Sequence, residues 1–223
     1  MIIELCGLPG GGKTTVVEGL RSKGISFLTR KELLRTGKHT YIDHFLFYIT
    51  RRGKKRKRLK AILAYAACYR HSTRKYIYKL LALSEALDEN RDKDIIMDEG
   101  LVQLITSVPY DSSIRPDTLD LIWDSLFKDI ADDYHIVYCD IDIKSAEKRI
   151  LGRGRKDDRY RKAAQSRREE LLGIKKKNIE LVRDALKDRL AGVYSINMRD
   201  APEVNTEKLS RIFEKSQKNE DVH

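Results

Sequence analysis

Apolar residues follow two rhythms along this chain. Short apolar runs occur at Ile2 to Cys6 (IIELC), Ile25 to Leu28 (ISFL), Asp94 to Met97 (DIIM), His135 to Cys139 (HIVYC) and Gly192 to Ile196 (GVYSI). Each is too short for a helix of ordinary length and reads as a buried strand. Between them the apolar positions repeat at helical spacing. A helix is predicted from Val16 to Lys23, with Val17 and Leu20 on one face. From about Thr40 to Leu87 the pattern is helical throughout, through Leu59, Ile62, Leu63, Ala66 and Ala67, then Ile77, Leu80, Leu81 and Ser84. Asp117 is placed to cap a helix with Leu119, Ile122, Trp123, Leu126, Phe127 and Ile130 on one stripe. Further helices are expected over Ser145 to Leu151, over Tyr160 to Leu190, and from about Glu203 onward. Strands alternating with helices predict an α/β fold, a five-stranded parallel sheet flanked by helices. At 223 residues with no internal repeat, the chain reads as a single domain over 1–223.

The first run ends in a distinctive segment. Gly7-Leu8-Pro9-Gly10-Gly11-Gly12-Lys13-Thr14 satisfies G-x-x-x-x-G-K-[ST] and lies between a strand and a helix. Glycines let consecutive backbone N–H groups turn inward around phosphate oxygens, and the helix that follows adds its positive end. Lys13 would reach the β- and γ-phosphates and the Thr14 hydroxyl would ligate Mg²⁺, with Thr15 completing the cradle. The four fixed positions meet by chance in roughly one chain of this length in a hundred, so a nucleoside triphosphate, ATP with Mg²⁺, is the expected ligand. The third run ends in Asp98-Glu99-Gly100, where Asp98 would hold the metal and either carboxylate would assist an attacking hydroxyl. Asp98 is also readable as an ordinary acidic helix start. A stretch from 149 to 165 sets Arg149, Arg153 and Arg155 among glycines, as in a mobile lid whose guanidiniums neutralise phosphoryl oxygens.

Composition narrows the alternatives. Hydrophobic residues make up 41% of the chain, enough to bury a core, and no apolar run approaches the ~20 residues of a membrane span. The N-terminal MIIELCG runs into glycines rather than a cleavage site, so a cytoplasmic protein is expected, and Cys6, Cys68 and Cys139, with no paired spacing, fit neither a disulfide framework nor a zinc site. The net charge of +11 is uneven: residues 30–80 carry +14, residues 149–168 carry +7, and the remainder is −10. Within the first basic segment, Arg51 to Lys60 holds eight Lys or Arg in ten residues.

Three blocks, ELCGLPGGGKTT, DIIMDEG and VYCDIDIKSAEKRILGRGRKDDR, together resemble the P-loop kinases of the nucleoside monophosphate kinase type, and thymidylate kinase most closely. VYSINMRDAPE is similar to that family's last strand and adenine-side loop. The resemblance implies phosphoryl transfer from ATP to a small acceptor. It places Gly7, Gly12, Lys13 and Thr14 on ATP, Asp98 on metal or acceptor, and Arg149, Arg153 and Arg155 on phosphates. It departs where the acceptor is recognised. Glu99 follows Asp98 where the family has arginine, and Thr29-Arg30-Lys31-Glu32 stands in place of an Arg-Glu-Pro turn.

The basic region, 38–90, falls where such kinases build an acceptor lobe, and Arg30, Arg51, Arg52, Arg70 and Arg74 are candidates for binding a small anionic acceptor. The stretch 51–60 also fits an anionic membrane surface, or nucleic acid with Tyr65, Tyr69, Tyr76 and Tyr78 for stacking, or a solvated helix face. Two functions follow: a small-molecule kinase, or a P-loop NTPase that regulates nucleic acid or membrane without a small acceptor. The arginine lid and the absence of an N-K-x-D guanine motif favour the kinase.

Overall fold

Four of the five apolar runs pair as parallel strands. In a computed structural model of the chain, which describes residues 1–36, 53–69, 74–153 and 159–220, β1 (Ile2–Gly7), β2 (Ile95–Met97), β3 (Tyr134–Asp140) and β4 (Gly192–Asn197) form one sheet. Its order is β2-β1-β3-β4, with Ile2 opposite both Ile95 and Tyr134 and Cys139 opposite Ile196. Alternate residues of a strand point to opposite faces, and two cores follow. Ile2, Cys6, Ile95, Met97 and Tyr134 belong to one, Ile3, Leu5, Ile96 and Val137 to the other.

The fifth run does not become a strand among the described residues. Leu28 makes one parallel bridge to Ile95, with Leu28 N–H donating to Asp94 O (2.8 Å) and Ile96 N–H to Leu28 O (2.9 Å). The chain then turns, because Thr29 and Glu32 form a capping box at the start of α2 (Arg30–Thr36). Thr29 N–H and Oγ1–H both donate to Glu32 Oε2, at 2.8 and 2.7 Å. The sheet therefore has four strands where the pattern predicted five.

Helices cover both faces. α1 (Lys13–Ser22) leaves the glycine loop and packs on α10 (Pro202–Glu220). On the other side, α3 (Lys54–Ala67) and α4 (Arg74–Glu89) pack together, and α4 lies against the short α5 (Leu101–Ile105). The stripe that begins near Asp117 is buried at Ile122, Leu126, Phe127 and Ile130, but it is not one helix. It divides into a 3₁₀ turn (Pro116–Thr118), α6 (Leu119–Ile122) and a π turn (Trp123–Phe127). Asp117 does not cap it: the carboxylate binds the Arg115 guanidinium instead, at 2.5 Å. α7 (Ile143–Gly152) is capped by Asp142, which accepts from Ser145 N–H at 2.8 Å.

The predicted helix Tyr160 to Leu190 is broken into α8 (Arg159–Lys162) and α9 (Gln165–Leu186). The carbonyls freed at the break are taken by Arg168, which donates to Tyr160 O (2.6 Å) and Ala163 O (2.7 Å) and pairs with Glu147 on α7 (2.6 Å). No helix among the described residues is long and apolar enough to cross a membrane.

Candidate active site

The glycine loop joins β1, central in the sheet, to α1. Gly12 caps α1 in the left-handed region (φ 87°), a conformation that costs a side-chain-bearing residue and explains the third consecutive glycine. Lys13 is buried and its Nζ donates to the carbonyls of Gly7 (3.0 Å) and Leu8 (2.9 Å). Burial pushes its ammonium below the ordinary lysine value, while the nearby Asp98 and Glu99 carboxylates work the other way. Thr14 Oγ1 donates to Asp98 Oδ2 at 2.5 Å. That contact brings the hydroxyl after the lysine together with the carboxylate at the end of β2, across 84 positions of sequence.

Thr14 and Asp98 supply the hard oxygen donors that suit Mg²⁺. Among the described residues no group of three or more His, Cys, Asp or Glu side chains could hold a metal ion. A cation here would thus draw most of its ligands from phosphates and water, as Mg²⁺ does in phosphoryl transfer.

A residue the apolar pattern concealed holds this arrangement in place. Glu4, in the middle of β1, is fully buried and accepts from the N–H groups of Gly100 (3.1 Å), Val102 (2.9 Å) and Gln103 (2.8 Å) and from Tyr134 Oη–H (2.5 Å). Burial raises its carboxyl above the usual range, and these donors oppose the rise. A Cβ on Gly100 would lie 2.5 Å from Glu4 Cδ, so the glycine after Asp98-Glu99 lets the turn close over the carboxylate. Gln103 then returns to the loop, its Oε1 accepting from Gly7 N–H at 3.2 Å. The sequence signal for Glu4 is a carboxylate inside an apolar strand, because a fully buried Glu is rare unless paired.

The predicted arginines divide. Arg149 lies on the loop, its guanidinium donating to Met198 O (3.0 Å) and Gly11 O (3.5 Å). Arg149 and Arg153 line a cavity of about 350 Å³ with Gly10, Gly12, Thr15, Met198, Asp200 and Asn205 among others. Arg161 donates to Arg153 O at 2.9 Å. Arg51, Arg52, Arg70 and Arg155 lie outside the described residues, as does the side chain of Arg74.

Next in sequence to Asp98, Glu99 pairs with Arg30, and Lys79 lies 3.8 Å from the same carboxylate. All three are about three-quarters buried. Burial lowers the Lys79 ammonium, and Glu99 opposes the shift.

Much of the described basic stretch is structural. Arg58 is buried and donates to Ser125 O (3.0 Å), Ser84 O (3.3 Å) and Asp88 (2.9 Å). Lys54 binds Asp129 at 2.7 Å, and Lys55 pairs with Glu85. Arg56, Lys57 and Lys60 face solvent. Tyr65, Tyr69 and Tyr76 are core residues, not a stacking platform; Tyr65 and Tyr69 meet edge to face at 5.2 Å.

Deoxyadenosine kinase from M. mycoides, solved with dCMP and a flexible dCDP, has the same fold at TM-score 0.57 and 20% identity, over 96% of this chain and 100% of that one. With dATP bound it gives TM-score 0.56 and 17% identity, over 96% and 99%. With dCTP bound it gives 0.57 and 17%, over 96% and 100%. No family model matches the chain, and no curated protein matches it.

Proposed function

We propose that the protein is a kinase that moves the γ-phosphoryl group of ATP to a small acceptor. The observation that carries this reading is the Thr14–Asp98 contact, which sets a metal-ligating pair beside a buried lysine at the mouth of a glycine loop. The fold shared with a deoxyadenosine kinase solved with dATP supports it.

In this reading the backbone N–H groups of Gly10, Gly11 and Gly12 wrap the phosphates, Gly7 and Pro9 shape the loop (proline has no N–H and that of Gly7 is held by Gln103), and Thr15 lines the adjoining cavity. Lys13 leaves its two carbonyl partners for the β- and γ-phosphate oxygens, and Thr14 and Asp98 would hold Mg²⁺, which would supply neutralisation of the phosphate charge. Arg149, Arg153 and Arg155 close from the lid over the transferring group. The acceptor hydroxyl attacks the γ-phosphorus, its proton passes to a carboxylate of the Asp98-Glu99 pair, and ADP leaves.

Glu99 is already neutralised by Arg30 and flanked by Lys79, which gives the acceptor side a surplus positive charge. That surplus suits an acceptor carrying phosphate or carboxylate. Since Glu99 stands where thymidylate kinase has arginine, and the Thr29–Glu32 turn lacks the proline of that family's Arg-Glu-Pro turn, thymidine monophosphate is not the acceptor we favour. We take the chain as one domain, with a lobe over 38–90 on the acceptor side and the lid over 149–165.

The test is ADP release by the full chain with ATP and Mg²⁺, across a panel of nucleosides, nucleotides, sugars and sugar phosphates. We expect acceptor-dependent turnover that falls by about 100-fold or more in Lys13→Ala. ATP hydrolysis seen only with DNA, RNA or anionic vesicles overturns the kinase reading in favour of a regulatory NTPase. Unchanged ATP affinity in Lys13→Ala overturns the phosphate cradle itself.

A further inference from the structure

A residue at the cavity beside the glycine loop carries a buried polar atom that the protein leaves unanswered. Asn205, in the first turns of α10, lines the cavity and is only 1% exposed. Its Nδ2 donates to Asp200 O at 3.3 Å. Since that partner is a carbonyl, the amide nitrogen must face it, which fixes the orientation of the side chain and leaves Oδ1 on the other side. Oδ1 is buried and has no hydrogen-bond partner. A buried acceptor left unpaired is costly, and one found in the wall of a ligand cavity calls for a donor carried by the ligand.

The rest of the lining narrows what that donor is. Arg149 in the last turn of α7 and Arg153 just after it line the cavity, and a guanidinium suits phosphate and the face of a flat base. The lining also includes Met198, Asp200, Pro202 and Asn205. The Met198 carbonyl is already occupied by Arg149, the Asp200 carbonyl by Asn205, and Asp200 Oδ2 by Lys208 at 2.7 Å. The buried side-chain atom left without a partner among these residues is therefore an acceptor, Asn205 Oδ1. Because Oδ1 has no exposed surface, a base that reaches it must displace a neighbour, and Met198 and Arg153 are long, unbranched side chains able to give way.

We propose that Asn205 reads the 6-position of the donor's purine, with Oδ1 accepting from the exocyclic amine of adenine. Guanine presents a carbonyl there, so two acceptors would face each other and neither would be satisfied. This inference rests on the cavity being the donor-base site of the proposed kinase and adds a residue that chooses between bases. A site built to hydrogen-bond a particular group rejects an analogue lacking it far more strongly than an apolar slot does.

The experiment measures equilibrium dissociation constants of the full chain for ATP, GTP and purine riboside triphosphate, which is ATP without its 6-amino group. We expect ATP to bind about tenfold more tightly than either analogue. Asn205→Leu should weaken ATP by a similar factor and leave purine riboside triphosphate unchanged, so that the variant no longer distinguishes the two. Asn205→Asp, which keeps an acceptor at the same place, should retain the preference. Equal affinity of the unaltered chain for ATP and purine riboside triphosphate overturns the inference while leaving the nucleotide site intact, and this comparison needs no variant to fold. Failure of all three triphosphates to bind overturns both the inference and the kinase reading. Preferential binding of GTP overturns the assignment of the reading group.

Discussion

At the scale of single residues, the two carboxylates at the end of β2 are held in different ways. Asp98 accepts from Thr14 of the glycine loop, and Glu99 is held by Arg30 and Lys79, on the side where we propose that the acceptor binds. Asp98→Asn should therefore lower kcat by about 100-fold and raise the Mg²⁺ concentration needed for half-maximal rate. Glu99→Gln should act chiefly on the KM of the acceptor, because it frees Arg30 and Lys79 without touching Thr14. Steady-state kinetics with each substrate varied in turn separate the two, and identical effects on kcat and KM would refute the division. The glycine loop and the Asp98-Glu99-Gly100 turn were legible in the sequence because their chemistry depends on residues adjacent in the chain. Glu4, Gln103 and Asn205 were not, since what makes each informative is a partner or a cavity supplied by distant segments.

Elements show the same contrast. α5 has five residues, too few to be stable alone, because nucleation costs more than so few hydrogen bonds return. It is held at both ends by charge of the favourable sign. The Glu4 carboxylate takes the first N–H groups, and at the other end the buried Lys175 ammonium donates to Gln103 O (3.1 Å), Thr106 Oγ1 (2.7 Å) and Ser107 Oγ (2.7 Å). The helix in turn carries Gln103 to the loop at Gly7. Lys175→Met keeps the length of the side chain and removes the ammonium, so we expect a loss of about 2–3 kcal/mol, or a Tm lower by about 5–10 °C. Nucleotide affinity should fall with it as the loop loosens. A Tm within a degree of the unaltered chain would show that α5 stands without this anchor. The same logic explains why helical periodicity over-extended the segment from Tyr160 to Leu190 and the stripe after Asp117. Apolar spacing records which side of a segment is buried, whereas a break is set by groups such as Arg168 that wait to receive the freed carbonyls.

Over the whole molecule, the net charge of +11 suggested a polyanionic partner, yet Lys54, Lys55 and Arg58 of the described basic stretch are spent on tying α3 to Glu85, Asp88 and Asp129. Charge counted along a sequence does not separate internal pairing from a surface for a partner, and here much of it is internal. A more telling group for global stability is uncharged. His135, at the start of β3, is 5% exposed, lies beside the Tyr194 ring, and leaves Nδ1 without a partner. Burial lowers its pKa to about 4 from 6.5, the N-terminal ammonium adds to the shift, and Asp133 opposes it. Between those values the unfolded chain binds the proton and the folded chain does not, so stability is full above pH 6.5 and is lost as pH falls toward 4. The loss is on the order of 2–3 kcal/mol. Glu32, whose carboxylate is held at about 2 by its capping bonds to Thr29, adds a separate loss only below its ordinary value of 4.5. Urea denaturation at pH 7, 5.5 and 4.5 should thus show a stability decline that His135→Phe largely removes over this range, with the Glu32 contribution still to come at lower pH. An equal decline in the variant would place the acid sensitivity elsewhere. A variant that is less stable at pH 7 but flat down to pH 4.5 would still identify His135 as the titrating group, because a packing defect lowers stability equally at every pH and proton uptake does not.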